Sequence, residues 1–203
     1  IVVERYDRVV DERSEVVVSI RGFLPDFERT AENKYAEYGG PSASAVLDVL
    51  GKTGAYANAN VQRFVEMLFF NYLIGAPDAH AKNYSVLLGM EGQAVLAPLY
   101  DVASAFPYRL PKERIKVAMS LGVKTWLESW PHHVRRFVEA NELEKFGLDG
   151  DACIEILARL AKSIPGELGR ALDGLANCEG ADELNHRLLK PVERLCSATL
   201  AKL

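Results

Sequence analysis

The chain has 203 residues, 49% of them hydrophobic and 26% charged, with a formal net charge of −4. That balance belongs to a folded globular domain or one large lobe with enough apolar residues for a core, and it excludes a disordered chain. The mild acidity gives the whole chain no attraction to nucleic acid or an anionic membrane, and no run approaches the ~18 apolar residues a spanning helix needs.

The chain opens on IVVERYDR, with neither an initiator Met nor a basic leader. No signal peptide is expected, and part of the protein is expected upstream of Ile1. Residues 1–4 open on three β-branched side chains and read as a strand, and RYDRVVDER then turns polar. EVVVSIRGF at 15–23 reads as a second strand. Residues 25–42 carry Pro, Gly and many polar groups and read as a loop with short helical turns. Ser42 to Leu50 is expected to be a short capped helix, and 51–60 a loop.

Val61, Phe64, Val65, Leu68, Phe69, Tyr72 and Leu73 then fall at i, i+3, i+4, i+7 spacing. That spacing predicts a helix with a wide apolar stripe, central to the core. Gly75, Ala76 and Pro77 end it. The segment 78–83 is a loop, 84–88 and 94–100 read as a β-hairpin across GMEGQ, and Asp101 follows at once. Beyond about residue 110 the pattern is helical, with helices expected over 125–140, 149–163, 165–176 and 182–201, the last kinked or split at Pro191.

Cys153, Cys178 and Cys196 are scattered, odd in number and without C-x-x-C spacing. They fit neither a disulfide framework nor a zinc site, and reduced thiols in a cytoplasmic protein are expected. His132-His133 is no metal pair, because adjacent helix residues point in different directions. Trp126 and Trp130 sit at i, i+4, as in a packing face. Arg135, Arg136, Lys190 and Arg194 read as solvated helix faces before they read as partner contacts.

The chemistry concentrates between Val61 and Ser104. The loop Asp78-Ala-His80-Ala-Lys82-Asn83 gathers a carboxylate, an imidazole, an ammonium and an amide between an apolar helix and an apolar hairpin. Those polar groups must collect at the edge of a core. Phosphoryl transfer needs a carboxylate to receive or orient the proton of the attacking hydroxyl, and oxygen ligands to hold Mg²⁺ against phosphates. Protein kinases meet this with Asp-x-x-x-x-Asn, a short hairpin and a second Asp. Asp78-x-x-x-x-Asn83 has that spacing and Asp101 that placement. The spacing alone recurs by chance in many chains; the helix, the hairpin and the second Asp add the weight. Turn and capping roles are the plainer alternatives for Asp78, Asn83 and Asp101.

NYLIGAPDAHAKNYSVLL followed by LAPLYDVASAFPY resembles the HipA family of bacterial kinase toxins, and VVERYDR at 2–8 and KYAEYGGPS at 34–42 are similar to its pattern. The family usually carries an Asn-Thr or similar pair where this chain has Ala76-Pro77. The resemblance implies a mainly α (α+β) fold, a protein-kinase-like C-lobe spanning 1–203. Its parts are a hinge at 1–8, the core helix, catalytic loop, hairpin and metal-binding Asp at 61–104, and a helical bundle at 110–203. It implies ATP- and Mg²⁺-dependent phosphorylation of a Ser or Thr on a protein. Asp78 is then the catalytic base, and Asn83 and Asp101 the metal ligands. His80, Ala81 and Lys82 line the phosphate side, Tyr100 stands beside Asp101, and Glu4, Arg5 and Tyr6 form the hinge. It further implies a growth-arresting toxin paired with a HipB-like antitoxin, with DNA contact only through that complex. The family's N-terminal lobe, with its phosphate-covering loop and ATP-binding Lys, has no counterpart in this sequence, so the chain is expected to hold the catalytic half and to be inactive alone. An inert antitoxin- or DNA-adjacent interaction module and a small-molecule kinase are the rival readings.

Overall fold

A computed structural model describes residues 8–11, 14–17, 19–22, 35–89, 93–108, 110, 115–119, 121 and 133–203. The expectations for residues 1–4, for Glu4, Arg5 and Tyr6, for the loop over 25–34, for the start of the helix at 125 and for Trp126, Trp130 and His132 lie outside those residues.

The apolar stripe read between Val61 and Leu73 is the axis of the molecule. It forms the second helix, α2 (Ala57–Leu73), after α1 (Ala43–Leu50). Val61, Phe64, Val65, Phe69 and Leu73 are wholly buried, while Asn58, Ala59, Gln62 and Arg63 in the first turns of α2 are exposed. Each large apolar side chain so enclosed contributes roughly 1.5–3 kcal/mol. Ser42 caps α1 by accepting from the Ala45 amide at 3.3 Å. The helix α2 starts at Ala57, earlier than its apolar stripe, because its first turn follows directly on a 3₁₀ turn at Gly54–Tyr56.

Helices α3 (Val134–Ala140) and α4 (Gly150–Asp173) come next. A short α5 (Ala181–Leu184) leads through a π turn at Asn185–Leu189 into α6 (Lys190–Leu200). The expected break between 163 and 165 is absent. The helix α4 runs through Pro165, which costs about 3 kcal/mol in a helix interior. One buried stripe, Cys153, Ile156, Leu157, Ala161 and Ile164 before the proline and Leu172 after it, packs as a unit and offsets that cost. The stretch 182–201 is divided just ahead of Pro191, in line with the expected split: a π turn at Asn185–Leu189 separates α5 from α6, and Pro191 lies in the first turn of α6. The wide turn before it, closed by the Lys190 amide on the Asn185 carbonyl, lets the ladder accommodate a residue that has no N–H.

The β structure differs in its division from the expected strand at 15–23 and hairpin at 84–100. Strands β1 (Arg8–Asp11) and β2 (Ser14–Val17) form an antiparallel pair. Strand β3 (Ser19–Gly22) joins β4 (Ser85–Leu88), which pairs with β5 (Ala94–Leu96), in the order β3-β4-β5. The segment 15–23, expected as one strand, is thus divided between two sheets, and part of the polar stretch before it is a strand. Alternating apolar residues specify an extended chain, not the edge it joins. In the hairpin Val86 faces Leu96 and Leu88 faces Ala94, and the second strand stops at Leu96 rather than at Tyr100.

Asn60, buried in α2, fastens this sheet to the helix. Its Nδ2 donates to the Ala94 carbonyl at 2.8 Å and to Thr53 Oγ1 at 2.9 Å, and its Oδ1 accepts from the Leu96 amide at 2.8 Å. At the other end of α2 the Tyr72 and Thr199 hydroxyls meet at 2.9 Å and tie the helix to α6.

Candidate functional site

The loop that carries the chemistry is launched by the end of α2. The Gly75 amide bonds the Tyr72 carbonyl at 3.0 Å and the Ala76 amide bonds the Asn71 carbonyl at 2.8 Å, with Gly75 at φ +65°. This is the Schellman pattern, in which a left-handed glycine closes the helix. Glycine is required twice over, since a Cβ there would stand 2.5 Å from the Phe106 ring. The Ala105 amide also bonds the Gly75 carbonyl at 2.8 Å, so the segment after Asp101 is anchored on the same turn.

Pro77 carries no N–H, and its carbonyl accepts from the Ala118 amide at 2.8 Å. Asp78 comes next. Its backbone carbonyl accepts from the His80 amide at 2.8 Å and from Asn83 Nδ2 at 3.0 Å. The Asn83 amide, a second residue of the expected set, is therefore folded back onto Asp78 from a 3₁₀ turn at Ala81–Asn83. The Asp78 carboxylate itself is about half exposed, at 49%. Its Oδ1 accepts from the Tyr35 hydroxyl at 2.7 Å and lies 3.9 Å from His80 Nε2. His80, Ala81 and Asn83 are buried and Lys82 is exposed. Asp78 and Lys82 thus face outward from a loop whose other members hold it to the core.

Beneath the loop Tyr84 stacks edge-on against Phe64, ring centres 5.0 Å apart, and accepts from Asn71 Nδ2 at 2.9 Å. Burial pushes its phenol well above the ordinary value, against the opposing bond from Asn71. Tyr84 is neutral at any physiological pH and acts as a support.

Tyr100 closes the far side. Its hydroxyl donates to the Lys82 carbonyl at 2.7 Å. A phenol has one proton, so in the 2.6 Å contact with Ser85 the serine hydroxyl is the donor. The chain leaving the hairpin is thereby pinned to the loop that enters it. Asp101 follows directly, exposed, in the left-handed region at φ +53°. Non-glycine residues are uncommon there, Asp and Asn being the best tolerated, and such strain gathers at functional sites. The alternative of a cap on VASAF finds no support, since no helix begins at Asp101.

No cluster of three His, Cys, Asp or Glu able to cage a metal occurs among the described residues. A nucleotide-borne Mg²⁺ asks for less, one or two oxygen ligands beside phosphate and water. Asn83, whose Nδ2 is turned inward to the Asp78 carbonyl, and the exposed carboxylate of Asp101 have the donor chemistry for that. The basic residues considered as partner contacts are in part neutralised: Arg135 pairs with Asp151 at 2.6 Å and Lys190 with Glu193 at 2.9 Å. Tyr35 falls in the KYAEYGGPS pattern, but no spacing in the sequence signals that it meets a residue 43 positions away.

A helical lobe whose central helix delivers a polar loop, a hairpin and a strained Asp is a kinase-like C-terminal lobe. The chain belongs to the HipA-like C-terminal domain family, whose model matches residues 1–168. It is 34% identical over 128 residues to a Sinorhizobium fredii (strain NBRC 101917 / NGR234) protein named "Putative kinase Y4mE", covering 63% of this chain and 30% of that protein. A second protein of that strain, named "Putative kinase Y4dM", is 31% identical over 106 residues, 52% of this chain and 24% of the other. Among solved structures, a chain of the Shewanella oneidensis MR-1 toxin–antitoxin complex of HipA, HipB and operator DNA has the same fold, with a TM-score of 0.71 at 22% identity. That match covers 98% of this chain and 46% of the other, so the chain spans less than half the length of the relatives it matches.

Proposed function

We propose that this lobe is the catalytic half of an ATP- and Mg²⁺-dependent kinase that phosphorylates a Ser or Thr on a protein, as part of a larger HipA-like toxin. The observation that carries the reading is the pairing of a half-exposed, hydrogen-bonded Asp78 with an Asn83 folded onto its backbone, across a hairpin from a strained Asp101. In this reading Asp78 receives the proton of the attacking hydroxyl. Asn83 and Asp101 ligate Mg²⁺. His80, Ala81 and Lys82 border the phosphates, with the exposed Lys82 ammonium facing their charge. Tyr100 holds Asp101 against the loop, and Glu4, Arg5 and Tyr6 serve as the hinge that meets the adenine. When bound, MgATP supplies the transferable phosphoryl group and neutralises its charge.

The lobe is inactive without the rest of the protein. The partner is a HipB-like antitoxin, with DNA approached only through it, and the setting is cytoplasmic. No helix among the described residues is long and apolar enough to cross a membrane.

The full-length protein tests the assignment. Asp78→Asn is expected to lower phosphoryl transfer to a protein acceptor about 10²–10⁴-fold, the usual worth of a general base, with ATP affinity nearly unchanged. Asp101→Ala is expected to weaken nucleotide binding in Mg²⁺ and to leave the Mg²⁺-free component alone, by isothermal titration calorimetry. Normal turnover in Asp78→Asn removes it as the base. A full-length protein that neither binds MgATP nor transfers phosphate sinks the kinase reading and leaves an interaction module. Transfer to a small hydroxylated acceptor in place of protein overturns the substrate class.

A further inference from the structure

Asp78 is held by its backbone from below, but its carboxylate reaches outward with half its surface in water. An aspartate side chain has several staggered χ1 wells, and a hydrogen bond to its carboxylate selects among them. The Tyr35 hydroxyl donates to Oδ1 at 2.7 Å, the usual length for a hydroxyl on a carboxylate.

Tyr35 is itself anchored. Its carbonyl accepts from the Tyr38 amide at 3.0 Å and the Gly40 amide at 2.9 Å, closing a tight turn around the 3₁₀ segment Ala36–Tyr38. The next amide, of Ala36, bonds the Ala118 carbonyl at 3.0 Å, and the Ala118 amide bonds the Pro77 carbonyl at 2.8 Å. Tyr35 and Asp78 are therefore each one residue from the ends of a single backbone relay, 36–118–77. The Tyr35 ring stands edge-on to His80, centroids 6.2 Å apart, and to Tyr38 at 6.3 Å. Lys116 pairs with Glu37 at 2.6 Å and fixes the same turn from outside.

We infer that Tyr35 is a positioning residue for Asp78, holding its carboxylate in the one orientation that meets the acceptor hydroxyl. The inference rests on the reading of Asp78 as the base. Misplacing a reacting group by about 1 Å costs up to about 10²-fold in rate, so fixing a half-exposed carboxylate is worth a device of this kind. A rigid tie through backbone bonds suits a positioning role; a phenol that is itself an acceptor of phosphate has to come away from its base once modified.

The test uses the full-length protein with MgATP and a phosphorylated acceptor as readout. Tyr35→Phe keeps the ring and deletes the hydroxyl. The expected result is a kcat lower by about 10- to 100-fold with KM for ATP and calorimetric ATP affinity within about twofold of the parent. Melting temperature, followed in parallel, separates this from loss of the fold, and Glu37→Gln, which loosens the turn from outside while keeping the phenol, is expected to give a smaller kcat defect of the same kind. If Tyr35→Phe keeps full kcat while Asp78→Asn is dead, positioning by Tyr35 is wrong and the base assignment stands. If Asp78→Asn also turns over normally, the reading beneath it has failed. Phosphate found on Tyr35 by mass spectrometry after incubation with MgATP also overturns the inference.

Discussion

Gly75 shows how much of the site hangs on one residue. It ends α2 in the left-handed region and receives the Phe106 ring where any side chain would stand. Ala at this position combines about 1 kcal/mol or more of backbone strain with a contact of 2.5 Å against a ring that is itself packed on the core. Gly75→Ala is expected to lower stability by about 2–4 kcal/mol in urea unfolding, the range for overpacking joined to a wrong φ. It is also expected to shift the Asp78 loop, because the same turn carries the Ala105 and Ala76 bonds. A variant within about 0.5 kcal/mol of the parent would show that Phe106 moves aside freely. The Asp–x₄–Asn spacing and the Asp beyond the hairpin were legible in the sequence, since each is a local pattern along the chain. The Tyr35 contact was not: it depends on residues 36, 77 and 118 being brought together by backbone bonds, which leave no mark on side-chain pattern.

At the scale of elements, legibility followed the source of order. The helix α2 could be read because a buried apolar stripe recurs on its turns, and α1 because Ser42 is a good cap. The division of 15–22 between two sheets could not be read, because strand partners are chosen by tertiary context. Neither could the continuity of α4, where packing on both sides of Pro165 overrides a local penalty. The join between α2 and the sheet is likewise invisible in the sequence, where Asn60 is one polar residue at the edge of an apolar run. Its three bonds serve the Ala94 carbonyl, the Leu96 amide and the Thr53 hydroxyl. In Asn60→Leu the buried Leu96 amide loses its partner, at about 1–3 kcal/mol, and the half-buried Ala94 carbonyl loses one as well. Hydrogen exchange is expected to accelerate at the Leu96 amide and along the hairpin more than within α4. Uniform acceleration across the molecule would mean that Asn60 supports the global fold rather than this joint.

At the scale of the whole molecule, the late helices close over the early ones, and this sets how the protein responds to alkali. Cys153 on α4 and Cys196 on α6 are buried in the same core cluster as α2. Burial pushes the thiol of Cys153 up to about 11 from an ordinary 9.0, with a smaller contribution from Asp149, and burial pushes Cys196 likewise to about 11. Tyr84 is shifted upward by the same cause. In the unfolded chain these groups ionise first, so above pH ~9 the unfolded state binds fewer protons than the folded one and gains relative stability. The contribution is intact below pH ~9 and is lost as pH rises through about 11. At roughly 1.4 kcal/mol per pH unit for each thiol, the decline amounts to a few kcal/mol. Urea midpoints are expected to fall steeply between pH 9 and 11. The double variant Cys153→Ala, Cys196→Ala begins from a lower stability, because each change leaves a small cavity, yet is expected to decline more gently over the same interval. Cys178 is exposed and supplies the control: Cys178→Ala is expected to keep the parent's full alkaline slope. Equal slopes in parent and double variant would show that the thiols ionise as readily folded as unfolded, and that the contact between α4, α6 and α2 admits water.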